Sequence, residues 1–377
     1  MRFILPVYVS NIIQRLNECG FSCFLTGGAV RDFLSGKKPD DFDLVTSALP
    51  GQIKEVFPDF KTVDVREGTV VVAGHTFSVE ISTLAGKGKQ GVPTINSDLS
   101  HRDFTVNAMA FVPEDVLVDP YGGVRDLKKK RLRTVGSANA RFKEDGLRIL
   151  RALRFMAVNG LTPDEKTDLA IHENKELLRD IAPERINSEL SKLVTGENVF
   201  YVLMNYADVL GEIIPEITPC VGFKQYGRKH AYDVWEHICH TVETVPPDKY
   251  LRLAMLLHDL GKIPTHALNE NGDSTFKNHA GVGAEIAKKI LIRLRFDKKT
   301  IRKVTFFVKN HDFEPVTDKA ELLKIMKKRE LSCDDVRDLL VIKKSDRGAL
   351  SEDFRDISKE SGITLGLLAE IEAENKK

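Results

Sequence analysis

Residues 24–45 read Phe24-Leu-Thr-Gly-Gly-Ala-Val-Arg-Asp-Phe-Leu-Ser-Gly-Lys-Lys-Pro-Asp-Asp-Phe-Asp-Leu-Val45, and the rest of the chain is organised around them. A short apolar run, Phe24-Leu25, ends in Thr26-Gly27-Gly28. A helix-like piece carrying Val30, Phe33 and Leu34 follows, then a break at Gly36 and Pro39. The chain enters a second apolar stretch through Asp41-Phe42-Asp43. In an extended strand residues i and i+2 face the same side, so Asp41 and Asp43 converge. Two carboxylates on one face repel unless something cationic sits between them. A pair of divalent metals is the usual answer, and it clamps the attacking and leaving oxygens of a phosphoryl displacement. The Gly27-Gly28 turn offers backbone N–H groups that phosphate oxygens can approach with no Cβ in the way. Either pattern alone is common; both in this order, with Arg31-Asp32 between them, are specific.

Gly27-Gly28-Ala29-Val30-Arg31-Asp32 followed by Asp41-Phe42-Asp43 resembles the head signature of the class II tRNA nucleotidyltransferase and bacterial poly(A) polymerase family. The stretch Asp98-Leu-Ser-His-Arg-Asp-Phe-Thr-Val-Asn-Ala-Met-Ala110 is similar to a second motif of that family, with His101 where arginine is usual. It reads as opening a helix that Thr105 and Asn107 cap or brace, and Arg102 can reach a triphosphate. Val118–Leu127 and Leu132–Gly136 match the strand–turn–strand that closes such a head. The resemblance implies an α+β, polymerase-β-like nucleotidyltransferase head over 1–136 using Mg²⁺. It makes Asp41 and Asp43 the catalytic metal ligands that activate a 3′-hydroxyl, and it adds Gly27, Gly28, Arg31, Asp32, Arg102, Asp103 and Asn107 to the nucleotide site.

Within that head the apolar spacing of Val9, Ile12, Ile13 and Leu16 predicts a helix over 5–19, stopped by Gly20. A second helix is expected over 48–57, opened by Pro50. Val63, Val65 and Val70–Ala73 suggest a hairpin turning at Glu67-Gly68. Phe77–Ser82 alternates as another strand. Its Glu80 is a third metal carboxylate or an exposed strand glutamate. Residues 84–97, rich in glycine and lysine without a period, read as a mobile loop.

The bulk numbers set limits. At 377 residues two or more domains are expected. A formal net charge of +1 gives no global field for nucleic acid, so local charge must decide. Arg125–Arg154 holds eleven Lys or Arg against Asp126, Glu144 and Asp145, a net of +8 that reads as phosphate-binding. Glu285–Lys309 holds nine basic residues against two acids, equally suited to an RNA backbone and to solubility. The five cysteines are scattered, with no metal-type spacing, which favours reduced thiols and a cytoplasmic location. No run of 18 apolar residues occurs, so no membrane span is expected.

From 137 to 215 the chain becomes helical. Phe142–Phe155 carries Leu147, Leu150 and Leu153 on one stripe, and Asp145 and Arg148, spaced i,i+3, are expected on another face. Pro183 opens a further helix. Cytosine and adenine both present an exocyclic amine beside a ring-nitrogen acceptor. A carboxylate accepts from the amine and a guanidinium donates to the ring nitrogen, whereas guanine and uracil would set carbonyl against carboxylate. Glu144-Asp145-Gly146-Leu147-Arg148 also resembles the family's nucleotide-reading motif, with Gly146 where proline is frequent. The resemblance implies that Asp145 and Arg148, with Arg151 and Arg154, accept CTP and ATP in turn.

Seven of the ten histidines fall after residue 216. His258-Asp259 lies in Met255-Leu-Leu-His-Asp-Leu-Gly-Lys262, with His237 upstream, His279 and His311 beyond it, and Asp346 far downstream. Imidazole and carboxylate together suit a transition metal (Mn²⁺, Co²⁺ or Ni²⁺). The string and its order look like an HD-type phosphohydrolase domain, with every usual ligand position filled.

The expected layout is a head (1–136), an all-α neck binding base and RNA (137–215), an all-α HD domain (216–350) and a C-terminal helix or tail (351–377). The resemblance implies addition of CCA to tRNA 3′ ends from CTP and ATP, with no obligatory protein partner evident. Rival readings are an enzyme adding only the two cytidines, suggested by the short 84–97 loop, a poly(A) polymerase, and a phosphodiesterase centred on the HD metal site.

Overall fold

The computed structural model describes residues 4–86, 92–112, 116–354 and 356–374. It divides into two compact units, one of residues 1–148 with 161–170 and one of 149–160 with 171–377.

The first unit is built on a seven-stranded sheet: β1 (Cys23–Thr26), β2 (Asp43–Thr46), β3 (Lys61–Arg66), β4 (Thr69–Ala73), β5 (Ser78–Thr83), β6 (Ala110–Val112) and β7 (Val116–Val118). Their order is β3-β4-β5-β2-β1-β6-β7. Only β2 and β5 run parallel; every other neighbour is antiparallel. Helix Val7–Glu18 buries Val9, Ile12, Ile13 and Leu16, the stripe its spacing predicts. It shares one core with Leu25, Leu44, Val70, Val72, Ile81 and helix Pro50–Val56. Tyr8 stacks on Phe77 at 4.6 Å, tying the helix to the start of β5. The β3–β4 hairpin turns at Gly68, whose φ of 72° favours glycine. Of the 84–97 loop, residues 87–91 lie outside the described part.

The helix expected across 98–110 is not there. A helix covers Ile95–Ser100 and ends, Phe104 bridges to Thr134, one tight turn spans Thr105–Asn107, and β6 begins at Ala110. The cause is burial on all sides: Phe104, Val106, Ala108, Met109 and Ala110 are fully enclosed in succession. Thr105 and Asn107 between them are buried too, hydrogen-bonded to Asp126 and Asp103, so the stretch has no solvent-facing side for a surface helix and threads the core instead. A second difference falls at Asp145. Helix Ala138–Glu144 stops there, Asp145 is extended (φ −154°, ψ 103°), and a new helix covers Leu147–Asn159. The face shared by Asp145 and Arg148 on one continuous helix is therefore lost.

The second unit is helical, with one addition that the sequence reading missed. His266–Leu268 and Ser274–Phe276 form a short hairpin around Gly272, whose φ is 81°. Asn271-Gly272 was its legible signal. Pro183 begins helix Pro183–Val194, as its fixed φ favours. Buried Arg252 donates to the carbonyls of Val194, Gly196 and Val245, satisfying helix-end acceptors that water cannot reach. The final segment forms helix Ser358–Glu374, which buries Thr364, Leu368 and Ile371. Residues 355 and 375–377 of that segment are outside the described part.

Two glycines test this packing with opposite signs. A Cβ on Gly123 would lie 2.2 Å from the Thr105 carbonyl and 2.8 Å from Met109, whereas one on Gly362 meets nothing within 4 Å. Gly123→Ala is expected to cost about 1–3 kcal/mol by overpacking. Gly362→Ala, inside a helix, is expected to gain about 0.5–1 kcal/mol. Urea titrations of both variants, read on the unit concerned, check the two signs.

Candidate active site and histidine–aspartate centre

Strand register assembles the head site. Thr26 sits opposite Asp43 in the β1–β2 pair, and Asp43 sits beside Glu80 in the parallel β2–β5 pair. Phe42 and Leu44 point into the core, which leaves Asp41 and Asp43 on the outer side. Partial burial raises the Asp43 carboxyl above its ordinary pKa. The charges of Glu80 and Asp41 push the same way, against Arg102 and Arg66. Asp41, Asp43 and Glu80 offer oxygen donors alone, the ligand type that suits Mg²⁺. The residues present fit that metal.

Cations and backbone complete the arrangement. Arg66, on the edge hairpin, makes an ion pair with Glu80 and donates from Nε to Thr69 Oγ1 at 3.1 Å. Arg102 binds Asp98 Oδ2 at 2.9 Å and donates to Thr26 Oγ1 at 3.1 Å. Gly27 turns the chain with φ 70°, and a Cβ there would lie 3.4 Å from both Arg102 Nη1 and Asp43 Oδ2. The resulting cavity, about 310 Å³, is lined by Thr26, Asp43, Arg66, Glu80, Asp98 and Arg102. Arg31, Asp32, Asn107 and Asp103 form a separate network. Arg31 reaches Asp32 at 2.8 Å and donates to Asn107 Oδ1 at 2.8 Å, and Asn107 donates to Asp103 at 3.1 Å.

Asp145 caps the helix after it: the Leu147 N–H donates to its Oδ1 at 3.2 Å. Arg148 pairs with Glu144 at 2.8 Å and donates to the carbonyls of Arg141 (3.2 Å) and His101 (3.0 Å), which holds the guanidinium in one place. In the second unit, Glu189 on helix Pro183–Val194 is buried against Arg154 (2.5 Å) and Arg151 (3.5 Å). The sequence reading missed Glu189, Arg66 and Asp98. Only Asp98 had a signal, its i,i+4 spacing to Arg102.

The six residues expected at the HD centre do converge. Asp259 Oδ2 lies 3.3 Å from His237 Nε2 and 3.2 Å from His258 Nε2. Its Oδ1 lies 3.8 Å from His279 Nε2 and 3.7 Å from His311 Nε2. Asp346 Oδ1 is 3.1 Å from His237 Nε2. The Nδ1 atoms of His258, His311 and His279 face the carbonyls of Met255 (2.7 Å), Val308 (2.7 Å) and Phe276 (2.9 Å), and that of His237 faces Ala349 at 3.4 Å. Nδ1–H donation to those carbonyls is the tautomer that turns Nε2 toward a metal, although burial of His258 is outweighed by Asp259 and Asp346, which raise its pKa. His258 Nε2 is buried without a hydrogen bond. Burial and the neighbouring His258 hold His311 down at about 4, so it stays neutral. Burial pushes Asp259 up, but His258 and Lys262 outweigh it and keep the carboxyl well below its usual range. These donors fit a borderline transition metal.

Lys262 is a further missed residue. It is buried, 2.6 Å from Asp259 Oδ2, and donates to Gln225 at 2.8 Å. Gly261 earns its place by contact rather than by φ: a Cβ would lie 2.1 Å from the His279 carbonyl and 2.5 Å from Gly283 N. That close approach seats helix His279–Arg293, and so His279, against the His258-Asp259 turn. His240 stacks on Tyr232 at 4.3 Å and His266 bonds Ser274 at 3.1 Å, whereas burial and the nearby Lys262 hold His230 down at about 4.

A glycine turn, carboxylates in register and a pinned arginine on this sheet, joined to an HD region, define a nucleotidyltransferase with an HD domain. Residues 23–133 match the poly A polymerase head domain, 160–220 the probable RNA and SrmB-binding site of polymerase A, and 227–344 the HD domain. The chain is 40% identical over 281 residues to a CCA-adding enzyme of Geobacillus thermodenitrificans, covering 69% of this chain and 67% of that one. The solved CCA-adding enzyme of Bacillus stearothermophilus in complex with CTP superposes with a TM-score of 0.70 at 24% identity, over 97% of this chain and 83% of that one. The Thermotoga maritima CCA-adding enzyme complexed with tRNA gives 0.59 at 21% identity, over 98% and 84%. The chain belongs to the CCA-adding enzyme family.

The raised Asp43 pKa has a stability consequence. The folded state binds this proton more tightly than the unfolded one, so ionised Asp43 subtracts stability above its folded pKa, and the penalty fades as pH falls through it. Asp43→Asn is expected to raise the melting temperature of the metal-free protein at pH 7, by about 1–2 °C because solvent screens the repulsion. It should also abolish the stabilisation that Mg²⁺ gives the wild type. Calorimetry with EDTA and with Mg²⁺ checks both; a lower melting temperature in EDTA would contradict the electrostatic account.

Proposed function

We propose that the protein adds CCA to the 3′ ends of tRNA, taking CTP and then ATP without a template. The observation that carries this reading is the row Thr26–Asp43–Glu80 beside the Gly27 turn and Arg102. Asp41, Asp43 and Glu80 would hold two Mg²⁺ ions, which supply charge neutralisation and activation of the attacking hydroxyl when bound. In the reaction the RNA 3′-oxygen bonds to the α-phosphorus, the bond to the β-phosphate oxygen breaks, and pyrophosphate leaves with the hydroxyl proton lost. Arg102, pinned by Asp98 and Thr26, is preorganised to offset charge on the triphosphate. The N–H groups after Gly27 bind phosphate oxygens, and the Arg31–Asn107–Asp103 network braces that turn.

We assign base selection to Asp145 and Arg148. The fixed guanidinium donates to the ring nitrogen, and the Asp145 carboxylate accepts from the amine of cytosine or adenine. In this reading residues 1–136 catalyse, 137–215 read base and RNA with Arg151 and Arg154 held by Glu189, and 216–350 form a second, metal-dependent phosphohydrolase centre ahead of the 351–377 segment. His237, His258, Asp259, His279, His311 and Asp346 would hold its metal, Mn²⁺, Co²⁺ or Ni²⁺. The convergent Nε2 atoms support that centre. Free, scattered cysteines fit a reducing cytoplasm.

The cap on Leu147 shapes the test of base selection. Asp145→Ala would remove the helix cap together with the acceptor, so Asp145→Asn is the cleaner change. It keeps an oxygen for the Leu147 N–H and offers an N–H that suits the carbonyl of uracil or guanine. One charge-assisted hydrogen bond is worth roughly 1.5–3 kcal/mol, so discrimination against UTP and GTP should fall about ten- to a hundredfold. Incorporation of each nucleotide on tRNA lacking CCA measures it. An equal loss for all four nucleotides would mean that the base is chosen elsewhere.

A further inference from the structure

The histidine–aspartate centre has one approach that the ligand set does not explain. His237, His258 and His311 are almost wholly enclosed, whereas the His279 side chain is 24% exposed. That imidazole, 3.1 Å from His311 by their Nε2 atoms, also lines a cavity of about 430 Å³ with Phe276, Asn278, Lys309, Asn310 and Arg329. The volume suits a small ligand, in the range of about 300–1,000 Å³.

The charge of this cavity is surplus to metal binding. Lys309 is exposed and makes no ion pair or hydrogen bond among the described residues. Among the described residues Arg329 uses only Nη1, shared between Asn310 Oδ1 (3.3 Å) and Asp312 Oδ1 (3.2 Å), although a guanidinium has five N–H donors. Asp312 is the cavity's one acid, so the two cations leave a positive excess even after it is paired. Asn278 and Asn310 add amides. The cavity wall also includes Ala280 and Gly281, in the first turn of helix His279–Arg293, where N–H groups lack intrahelical acceptors. The scissile phosphate of a substrate belongs at the six ligands, and a substrate with only that phosphate would leave Lys309 without an anionic partner and Arg329 with no anion beyond Asp312.

We propose that this cavity is the substrate pocket of the HD centre and that it selects phosphate esters carrying a second phosphate. One phosphate is hydrolysed beside His279, and the other is held by Lys309 and Arg329. The proposal rests on the reading of the centre as a phosphohydrolase. Water adds to the scissile phosphorus and the ester oxygen leaves as the alcohol, taking a proton. A nucleoside bisphosphate and a short RNA with a 3′-terminal phosphate share this chemistry.

The test uses the full-length protein with Mn²⁺, Co²⁺ or Ni²⁺. Phosphate release is compared for adenosine 3′-monophosphate, adenosine 3′,5′-bisphosphate and a 3′-phosphorylated dinucleotide, the last two arms separating the sources. The expected result is a kcat/KM at least tenfold higher for one of the doubly charged substrates than for the monophosphate. That preference should fall about tenfold in Lys309→Ala/Arg329→Ala, through KM rather than kcat, and be partly restored in Lys309→Ala/Arg329→Lys relative to the double alanine. A second readout is independent of activity: metal-free crystals soaked in tungstate should show the anion between Lys309 and Arg329. No preference in the wild type, or a preference unchanged in the double variant, overturns the proposal, as does a cavity empty of tungstate. Inertness of the wild type on all three substrates with every metal defeats the phosphohydrolase reading instead, and the proposal with it, even with tungstate in the cavity.

Discussion

Like charges held in register on neighbouring strands are the constraint on which the head depends. β2 and β5 run parallel, and their register sets Asp43 beside Glu80. Asp41 adds a third carboxylate, and burial together with these charges raises the Asp43 pKa. Nothing in a stable sheet calls for that row, and a sequence chosen for stability alone would neutralise it. The surrounding elements hold it in place. Phe42 and Leu44 anchor β2 in the core, the hairpin brings Arg66 to Glu80, and helix Ile95–Ser100 presents Asp98 to Arg102. Strain kept at a site and compensated elsewhere is the signature of function over stability.

The HD centre has the opposite electrostatics. Asp259 is fully buried, yet cations and imidazoles hold its carboxyl below the ordinary range. Without metal, Lys262 already neutralises it at 2.6 Å. In the head, Arg66 pairs with Glu80 and Arg102 acts on Asp43 from a distance, while in the HD centre the buried Lys262 pairs directly with Asp259.

How far the sequence could be read follows from where each signal was local. The Gly27-Gly28 turn, the Asp41/Asp43 alternation and the helix over Val7–Glu18 depend on neighbours within a few residues, and period and turn chemistry expose them. The 98–110 stretch misled because its motif suggests a helix while burial of its apolar and polar residues alike demands core crossing, which only the tertiary packing decides. Asp145 misled for a related reason: Gly146 permits a break, and the side chain serves better as a cap than on a helix face. The convergence of His237, His258, Asp259, His279, His311 and Asp346 was legible as a string of ligand types. The roles of Glu189 and Arg66 rest on partners that only folding supplies, whereas Lys262 had a local signal, its i,i+3 spacing to Asp259. The cavity beside His279 had no sequence signal, since its walls come from three separate helices and the residues flanking them.

The central claim is that one head site builds a defined three-nucleotide end and then stops. Its most direct measurement is the mass of the product formed by the full-length protein with Mg²⁺ on a tRNA ending at the discriminator base. The account predicts two added cytidines with CTP alone, the complete CCA with CTP and ATP together, and no addition from ATP alone. A product that halts at two cytidines with both nucleotides present, or one that grows by many adenosines, would contradict it.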